Sequence, residues 1–267
     1  MPDPQRVYAV TGAAGGIGGA VCRLLAQQGA RVFGLDLDSE RLRALPDAIP
    51  ADVTDSKTLE AAAFRIREIA PGGLDGLVNC AGLIRCGALV EMREEDVRAV
   101  MDVNVLGAFR VTRALFPLLH EKRGRVVNVS SEAARISAPF NGAYSMSKYA
   151  LEAYSDALRR ELGVLGMKVA IIQPGAVRTA LMLGSAPSLD GASKGSQFAH
   201  AIERIRDLAA KEKDKCIEPE VVAAVVVRAL TAKSPRVRYR VGNDPFRRAV
   251  EFLPAWLADW AIGLVMR

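Results

Sequence analysis

Val7-Tyr8-Ala9-Val10-Thr11-Gly12-Ala13-Ala14-Gly15-Gly16-Ile17-Gly18 is the stretch whose reading decides the fold of this 267-residue chain. Val7 to Val10 form a short apolar strand. It runs straight into a glycine-rich turn, and Gly19-Ala20-Val21-Cys22-Arg23-Leu24-Leu25-Ala26 then reads as a helix. Strand, glycine turn and helix start are the context a dinucleotide fingerprint requires. Gly12 permits the tight turn. Gly16 and Gly18, with Ile17 between them, leave room for a pyrophosphate at the helix N-terminus. Unpaired N–H groups and the helix dipole favour an anion there. The next strand, Arg31-Val32-Phe33-Gly34-Leu35, ends at Asp36. A carboxylate at that point accepts hydrogen bonds from ribose hydroxyls and repels a 2′-phosphate. No arginine lies in the glycine turn and Leu37 follows Asp36. The expected cofactor is therefore NAD.

A second constellation lies in the middle of the chain. Val126-Val127-Asn128-Val129-Ser130-Ser131 reads as a buried strand ending in two hydroxyls, and Ala143 to Leu162 reads as a helix. Tyr144 and Lys148 are four apart on that helix, so they share a face one turn from each other. A free tyrosine, with a pKa of about 10, is a poor base at neutral pH. An ammonium beside it is expected to stabilise the phenolate. Ser131 can hydrogen-bond the same substrate oxygen, with Ser130 as the minor alternative. Hydroxyl, phenol and ammonium make a proton-transfer site for an alcohol or a carbonyl, and such a site needs a hydride carrier.

Together these residues resemble the short-chain dehydrogenase/reductase family, whose glycine spacing is TGxxxGxG. The resemblance covers roughly Arg6 to Gly242. It implies a Rossmann-like, doubly wound parallel sheet in the α/β class, as a single domain over 1–267 with a helical substrate lid. It also implies roles for four further pieces. Asp52 and Val53, after the third strand, would clamp the adenine. Asn79-Cys80-Ala81-Gly82 would end the fourth strand, with Asn79, Ala81 and Gly82 at the cofactor. Asn104, in Met101-Asp102-Val103-Asn104, would be a catalytic asparagine on a helix, holding a water that links Lys148 to solvent. Pro174, Gly175, Val177 and Thr179 would hold the nicotinamide carboxamide, and Lys148 would bind the nicotinamide ribose. Cys80 and Ala134 depart from the commoner asparagine and glycine, and neither removes a catalytic group.

Each signal has an ordinary structural reading taken alone. Tyr-x-x-x-Lys arises by chance on helices, a glycine turn can be only a turn, and Asn104 could be a cap. Their joint order and spacing set those readings aside. A non-catalytic dinucleotide sensor or scaffold on the same fold would need the glycine turn but not the phenol.

Composition agrees with one soluble enzyme. Half the residues are hydrophobic, enough for a large core, and strands alternate with helical runs as in βαβ crossovers. Cys22, Cys80, Cys86 and Cys216 show no CxxC pairing or metal spacing, and they read as reduced thiols in a cytoplasmic chain. His120 and His200 have no partners for a metal. The net charge of +6 raises a nucleic-acid reading, but the basic residues are spread over helix faces. The run Lys211-Glu212-Lys213-Asp214-Lys215 alternates in sign. Arg236, Arg238 and Arg240 alternate with Val237, Tyr239 and Val241, as on the outer side of a last strand. No signal peptide and no membrane-spanning run is expected.

The segment after Pro174-Gly175, about 180–217, carries Leu181, Met182, Leu183, Phe198, Ile202, Ile205 and Leu208. By resemblance it closes over the substrate, and its apolar character suggests a lipophilic one. The helix run and the tail look like the retinol- and hydroxysteroid-dehydrogenase-like branch. The expected reaction is hydride transfer between NAD(H) and a lipophilic secondary alcohol or ketone. An NADPH-dependent carbonyl or 3-oxoacyl reductase is the alternative, with Asp36 discriminating. Helices around Val97–Leu119 and Ala143–Leu162 form interfaces in relatives, so a homodimer or homotetramer is expected. The tail, about 244–267, carries Phe246, Val250, Leu253, Leu257, Trp260, Ile262 and Leu264, and is split by Pro254. It could pack on the lid or a partner subunit, rest at a membrane surface beside Trp256, or join the core.

Overall fold

The computed structural model describes residues 6–183, 185–211 and 215–266. Glu212, Lys213 and Asp214 of the alternating charge run lie outside the described residues. So do the side chains of Leu183 and Phe246.

Seven strands form one sheet: β1 (Val7–Thr11), β2 (Arg31–Asp36), β3 (Asp47–Pro50), β4 (Gly76–Asn79), β5 (Arg125–Val129), β6 (Val169–Pro174) and β7 (Arg238–Val241). Their spatial order is β3-β2-β1-β4-β5-β6-β7, and every neighbouring pair is parallel. This is the doubly wound α/β architecture expected from the sequence. Every residue of β1 and β6 is buried, as strands covered on both faces require. The order reverses between β1 and β4. A crevice therefore opens beyond the carboxyl ends of these strands, where ligands of such sheets bind.

Two apolar layers enclose the sheet. On one face α1 (Gly16–Gln27) and α10 (Pro219–Thr231) pack with Tyr8, Val10, Val127, Ala170 and Ile172. On the other, α3 (Ser56–Ile69) and α5 (Gly107–Glu121) cover Ala9, Phe33, Leu77, Val126 and Val169. The long helix α6 (Gly142–Val164) joins that second layer at Leu162 and carries Tyr144 and Lys148 near its start.

Between β6 and α10 the chain leaves the sheet as three helices, α7 (Ala180–Leu183), α8 (Ser185–Ser193) and α9 (Ala199–Lys211). The excursion is tied at its base. Val177 and Ile217 form a parallel bridge, with Ile217 N donating to Ala176 O and Arg178 N to Ile217 O. Ile202 and Leu189 are buried, whereas Phe198 and Leu208 remain partly exposed. Cys86 N donates to Ser188 Oγ, and Ser196 Oγ to Glu91, so the excursion is seated on the loop after β4.

The tail divides at Pro254 as expected, into α11 (Pro245–Val250) and α12 (Ala255–Met266). Val250 is buried and α12 rests against α9. Among the described residues no helix is long and apolar enough to cross a membrane.

On the outer side of the last strand Arg238 is half-buried, while Arg240 is exposed. Arg238 donates to Glu152 and Asp156 of α6 at 2.8 and 2.9 Å, and Arg240 to Glu251 at 2.9 Å. Both α6 and the tail bring carboxylates to that face of β7.

Candidate active site

The glycine turn is held from two sides. Asp36 Oδ2 accepts from Ala14 N at 2.9 Å and Oδ1 from Leu37 N at 2.8 Å. Thr11 Oγ1 accepts from Cys80 N and Ala81 N, at 3.0 and 3.2 Å, and so joins the ends of β1 and β4. Sequence reasoning passed over Thr11. Its signal was a lone hydroxyl ending an otherwise apolar strand.

Gly12 adopts φ +69°, in the left-handed region that favours glycine, and a Cβ there would lie 2.8 Å from Ala81 N. A Cβ on Gly18 would fall 2.1 Å from the carbonyl oxygen of Gly12. Its missing side chain lets the helix close on the turn. Gly16 faces the Thr179 methyl group in the same way. The turn and the segment after β6 are thereby brought together, with Ile17 packed against the core.

Gly15 caps α1 without a side-chain hydrogen bond, and no acidic residue stands in the first turn. The first N–H groups of α1 have no intrahelical acceptor. They fit a pyrophosphate without competition. Each Asp36 oxygen uses one acceptor position on a backbone amide and retains another for ribose hydroxyls.

Asp52 closes a turn on itself, with Oδ1 accepting from Thr54 N and Oγ1. Val53 packs against Gly107 at the start of α5. The Asn79 side chain is buried and donates to Thr112 Oγ1 and Asn128 Oδ1, at 3.0 and 2.8 Å. Asn128 continues to Ser155, so these amides cross-link β4, β5, α5 and α6 beneath the site.

Asn104 sits in a π-helical turn, Asp102–Leu106, between α4 (Glu94–Met101) and α5. Such turns recur at functional sites. Its Oδ1 accepts from Leu83 N at 2.7 Å. Its Nδ2 donates to Leu83 O and Ser147 Oγ, both at 2.9 Å. Both amide hydrogens are thus committed to the protein. Asn104 thereby ties the loop after β4 to α6. Gly82 lies against it.

The structure brings Ser131, Tyr144 and Lys148 together. Ser131 caps the short 3₁₀ turn Glu132–Ala134, its Oγ accepting from Ala133 N at 3.1 Å, and it lies close enough to the Tyr144 phenol to favour the ionised form. Ser130, by contrast, is buried with no hydrogen-bond partner for its hydroxyl. Lys148 Nζ donates to Val129 O at 3.0 Å and stands 5.5 Å from the Tyr144 ring centroid. Its two other N–H donors are available.

Burial governs the electrostatics. It pushes the Tyr144 phenol up to about 12, which the nearby Ser131 hydroxyl only partly offsets, while Cys80 and Glu132 add to the rise. It pulls Lys148 down to about 8, against the influence of Cys80 and Glu152. The expected lowering of the phenol by Lys148 is therefore corrected: in the protein alone, desolvation wins. The Cys80 thiol is also raised to about 12 by burial.

Pro174 ends β6, and Gly175 allows the closest approach in this region. A Cβ there would lie 2.1 Å from Gly242 O. Val177 is buried in the bridge to Ile217, and Thr179 Oγ1 accepts from Met182 N at 3.3 Å.

The fold, the glycine turn and the Ser131–Tyr144–Lys148 geometry coincide with a family match. The short chain dehydrogenase model matches residues 6–188. The chain is a short-chain dehydrogenase/reductase. This oxidoreductase is 34% identical to retinol dehydrogenase 7 of Mus musculus, over 94% of this chain and 85% of the relative. It is 33% identical to 17-beta-hydroxysteroid dehydrogenase type 6 of Rattus norvegicus, over 97% and 88%. A short-chain dehydrogenase structure from Streptomyces avermitilis superposes with a TM-score of 0.74 at 29% identity, covering 99% of this chain and 96% of the other. Within the short-chain dehydrogenases the chain belongs to the retinol- and hydroxysteroid-dehydrogenase-like branch, and its fold binds a nicotinamide dinucleotide.

Proposed function

We propose that this short-chain dehydrogenase interconverts a lipophilic secondary alcohol and its ketone with NAD(H). The observation that carries the reading is the convergence of the Ser131 hydroxyl, the Tyr144 phenol and the Lys148 ammonium at the end of the crevice. When bound, the nicotinamide supplies or accepts the hydride. Tyr144 Oη exchanges the proton with the substrate oxygen, and Ser131 Oγ orients that oxygen. Lys148, charged below about pH 8, supplies positive charge to the phenol and N–H donors to a ribose. The phenol at about 12 is a ready proton donor to a carbonyl at neutral pH. Oxidation needs positive charge near the phenol to offset its burial.

The lipophilic substrate is supported by the relatives named for retinol and a hydroxysteroid, and by Leu181, Met182 and Ile202 in the excursion between β6 and α10. We assign that excursion as the substrate lid. Absorbance at the nicotinamide band, followed with retinol-like and steroid alcohols and with Tyr144→Phe as control, tests the assignment. No signal from any lipophilic alcohol or ketone with either dinucleotide overturns it. A sensor without chemistry would not need the assembled phenol, hydroxyl and ammonium.

Asp36 supports NAD(H). One observation favours the NADP(H) alternative. Arg41, with no ion-pair partner among the described residues, lines a cleft of about 950 Å³ that also contains Ala14 and Gly15. Comparing the dissociation constants of NADH and NADPH decides between them.

Two surfaces support partners. Leu106, Phe109, Met146 and Tyr149 are exposed on the helices expected to form a homo-oligomer, which size-exclusion chromatography with light scattering tests. Trp256, Trp260 and Leu264 are exposed on α12, which supports peripheral contact with a lipid surface near the lid.

A further inference from the structure

Along the edge of the sheet, away from the glycine turn, lies a cleft of about 440 Å³ whose lining is dominated by guanidinium groups. Arg135, Arg228, Arg236, Arg238, Arg240 and Arg248 all face it. Their ion-pair partners are three carboxylates. Glu152 and Asp156 hold Arg238, and Glu251 is shared by Arg135 and Arg240. Arg228 lies over the Tyr239 ring. Arg228, Arg236 and Arg248 have no ion-pair partner among the described residues. The cleft therefore keeps unneutralised positive charge, in a place the hydride chemistry does not use.

Charges on an edge strand can serve only to deter strand pairing. Two features go beyond that purpose. The arginines come from four separate places: the turn after β5, α10, β7 with the residues before it, and α11. They line one hollow, in which Arg238 is half-buried and the other five are exposed. At its wall, Gln173 is 1% exposed. Its Nε2 donates to Glu152 Oε1 at 3.0 Å, which fixes the amide's orientation and leaves Oε1 buried with no partner. A buried acceptor in a basic cleft asks for an anion that also carries a hydrogen. Inorganic phosphate, and a phosphate monoester in its singly protonated form, meet both demands, since guanidinium forks match their oxygens and a P–OH group can donate to Gln173. Sulfate offers the charge but not the proton.

We propose that this arginine cleft is a second binding site, taking a phosphate monoester either free or as a lipid headgroup. The test is thermal unfolding of the full chain at pH 7 and constant ionic strength in chloride, sulfate or inorganic phosphate. Phosphate is expected to raise the midpoint saturably and more than sulfate. In R228Q/R236Q/R248Q, which removes no ion pair described here but does remove the Arg228–Tyr239 ring contact, the chloride midpoint should fall slightly and the phosphate response, read from that baseline, should fall. Any phosphate bound at the glycine turn persists in that variant, so only the difference counts. The single variants R236Q and R248Q provide the same reading if the triple variant unfolds. Equal responses to phosphate and sulfate, or a response unchanged in the variants, overturns the site. Flotation with phosphatidate vesicles against phosphatidylserine vesicles of equal charge assigns the source. Preference for phosphatidate that is lost in the triple variant indicates a lipid headgroup. A phosphate response without that preference indicates a soluble ester.

Discussion

Glu132, the residue after Ser131, is held by Arg247 of the tail. Arg247 Nη1 donates to Glu132 Oε1 at 2.5 Å, and Asp244 N donates to Oε2 at 3.3 Å. The short turn that presents Ser131 is thus anchored on α11. Arg247→Ala should lower kcat several-fold while leaving the dinucleotide dissociation constant unchanged. It should also lower stability by roughly 1–2 kcal/mol, since Glu132 is buried but Arg247 is about one-third exposed. Truncation after Asn243 should reproduce both losses and add that of Val250 packing. Wild-type kcat and melting temperature in Arg247→Ala would remove the tail from the catalytic account.

Tyr144→Phe keeps the ring and removes the proton carrier. We expect turnover to fall by at least about 10³-fold, within the range general acid–base groups contribute, with cofactor binding and fold intact. Lys148→Met should weaken both turnover and cofactor affinity, because one ammonium serves the phenol and the ribose. The comparison is steady-state kinetics beside calorimetric titration of the dinucleotide. Near-normal kcat in Tyr144→Phe would sink the assigned mechanism.

Lys148 also gives stability a pH dependence. Its pKa in the folded protein is lowered to about 8 from the ordinary 10.5. The folded state therefore binds fewer protons than the unfolded chain between these values. The stabilisation is present above the unfolded value and lost as pH falls through about 8. Tyr144, raised to about 12 from 10, acts oppositely: its contribution is full below 10 and lost as pH rises through 12. Between pH 8 and 10 the wild type should gain stability relative to Lys148→Met, by on the order of 3 kcal/mol at most. Chemical denaturation of both proteins across that window measures it. Parallel curves would show that the lysine is not desolvated as described.

Asp36 should make NAD(H) the preferred dinucleotide, since a carboxylate facing a 2′-phosphate places like charges together at a cost of several kcal/mol. Asp36→Ala with Leu37→Arg should narrow or reverse the preference. It should also loosen the glycine turn, because Ala14 N loses its acceptor. Tighter binding of NADPH than NADH by the wild-type protein would refute the assignment and point to Arg41.

What could be read from the chain beforehand was local. Val7 to Thr11 had to be a buried strand, the glycines had to turn it, and four-residue spacing put Tyr144 above Lys148. Those inferences need only short-range geometry. What could not be read depends on residues far apart in sequence. Asn79 turns inward because Thr112 and Asn128 wait there. Gly18 is required by the carbonyl of Gly12, a contact visible only once the turn is built. Arg238 looked solvent-facing because strand alternation does not show that α6 lies over it with two carboxylates. The raised phenol of Tyr144 comes from packing by several elements, and no spacing encodes it.

The Val177–Ile217 bridge has a consequence for how such a chain diversifies. It sets the two ends of the helical excursion side by side before the excursion itself has any shape. Loop closure grows only slowly more costly with length, so residues between these posts can be added or removed at little thermodynamic penalty. The sheet would keep its strands, while the contacts to Cys86, Glu91 and α12 would have to be remade. The excursion is in this sense an interchangeable cassette, and descendants of this chain can acquire new substrates by rewriting it while inheriting the hydride chemistry unaltered.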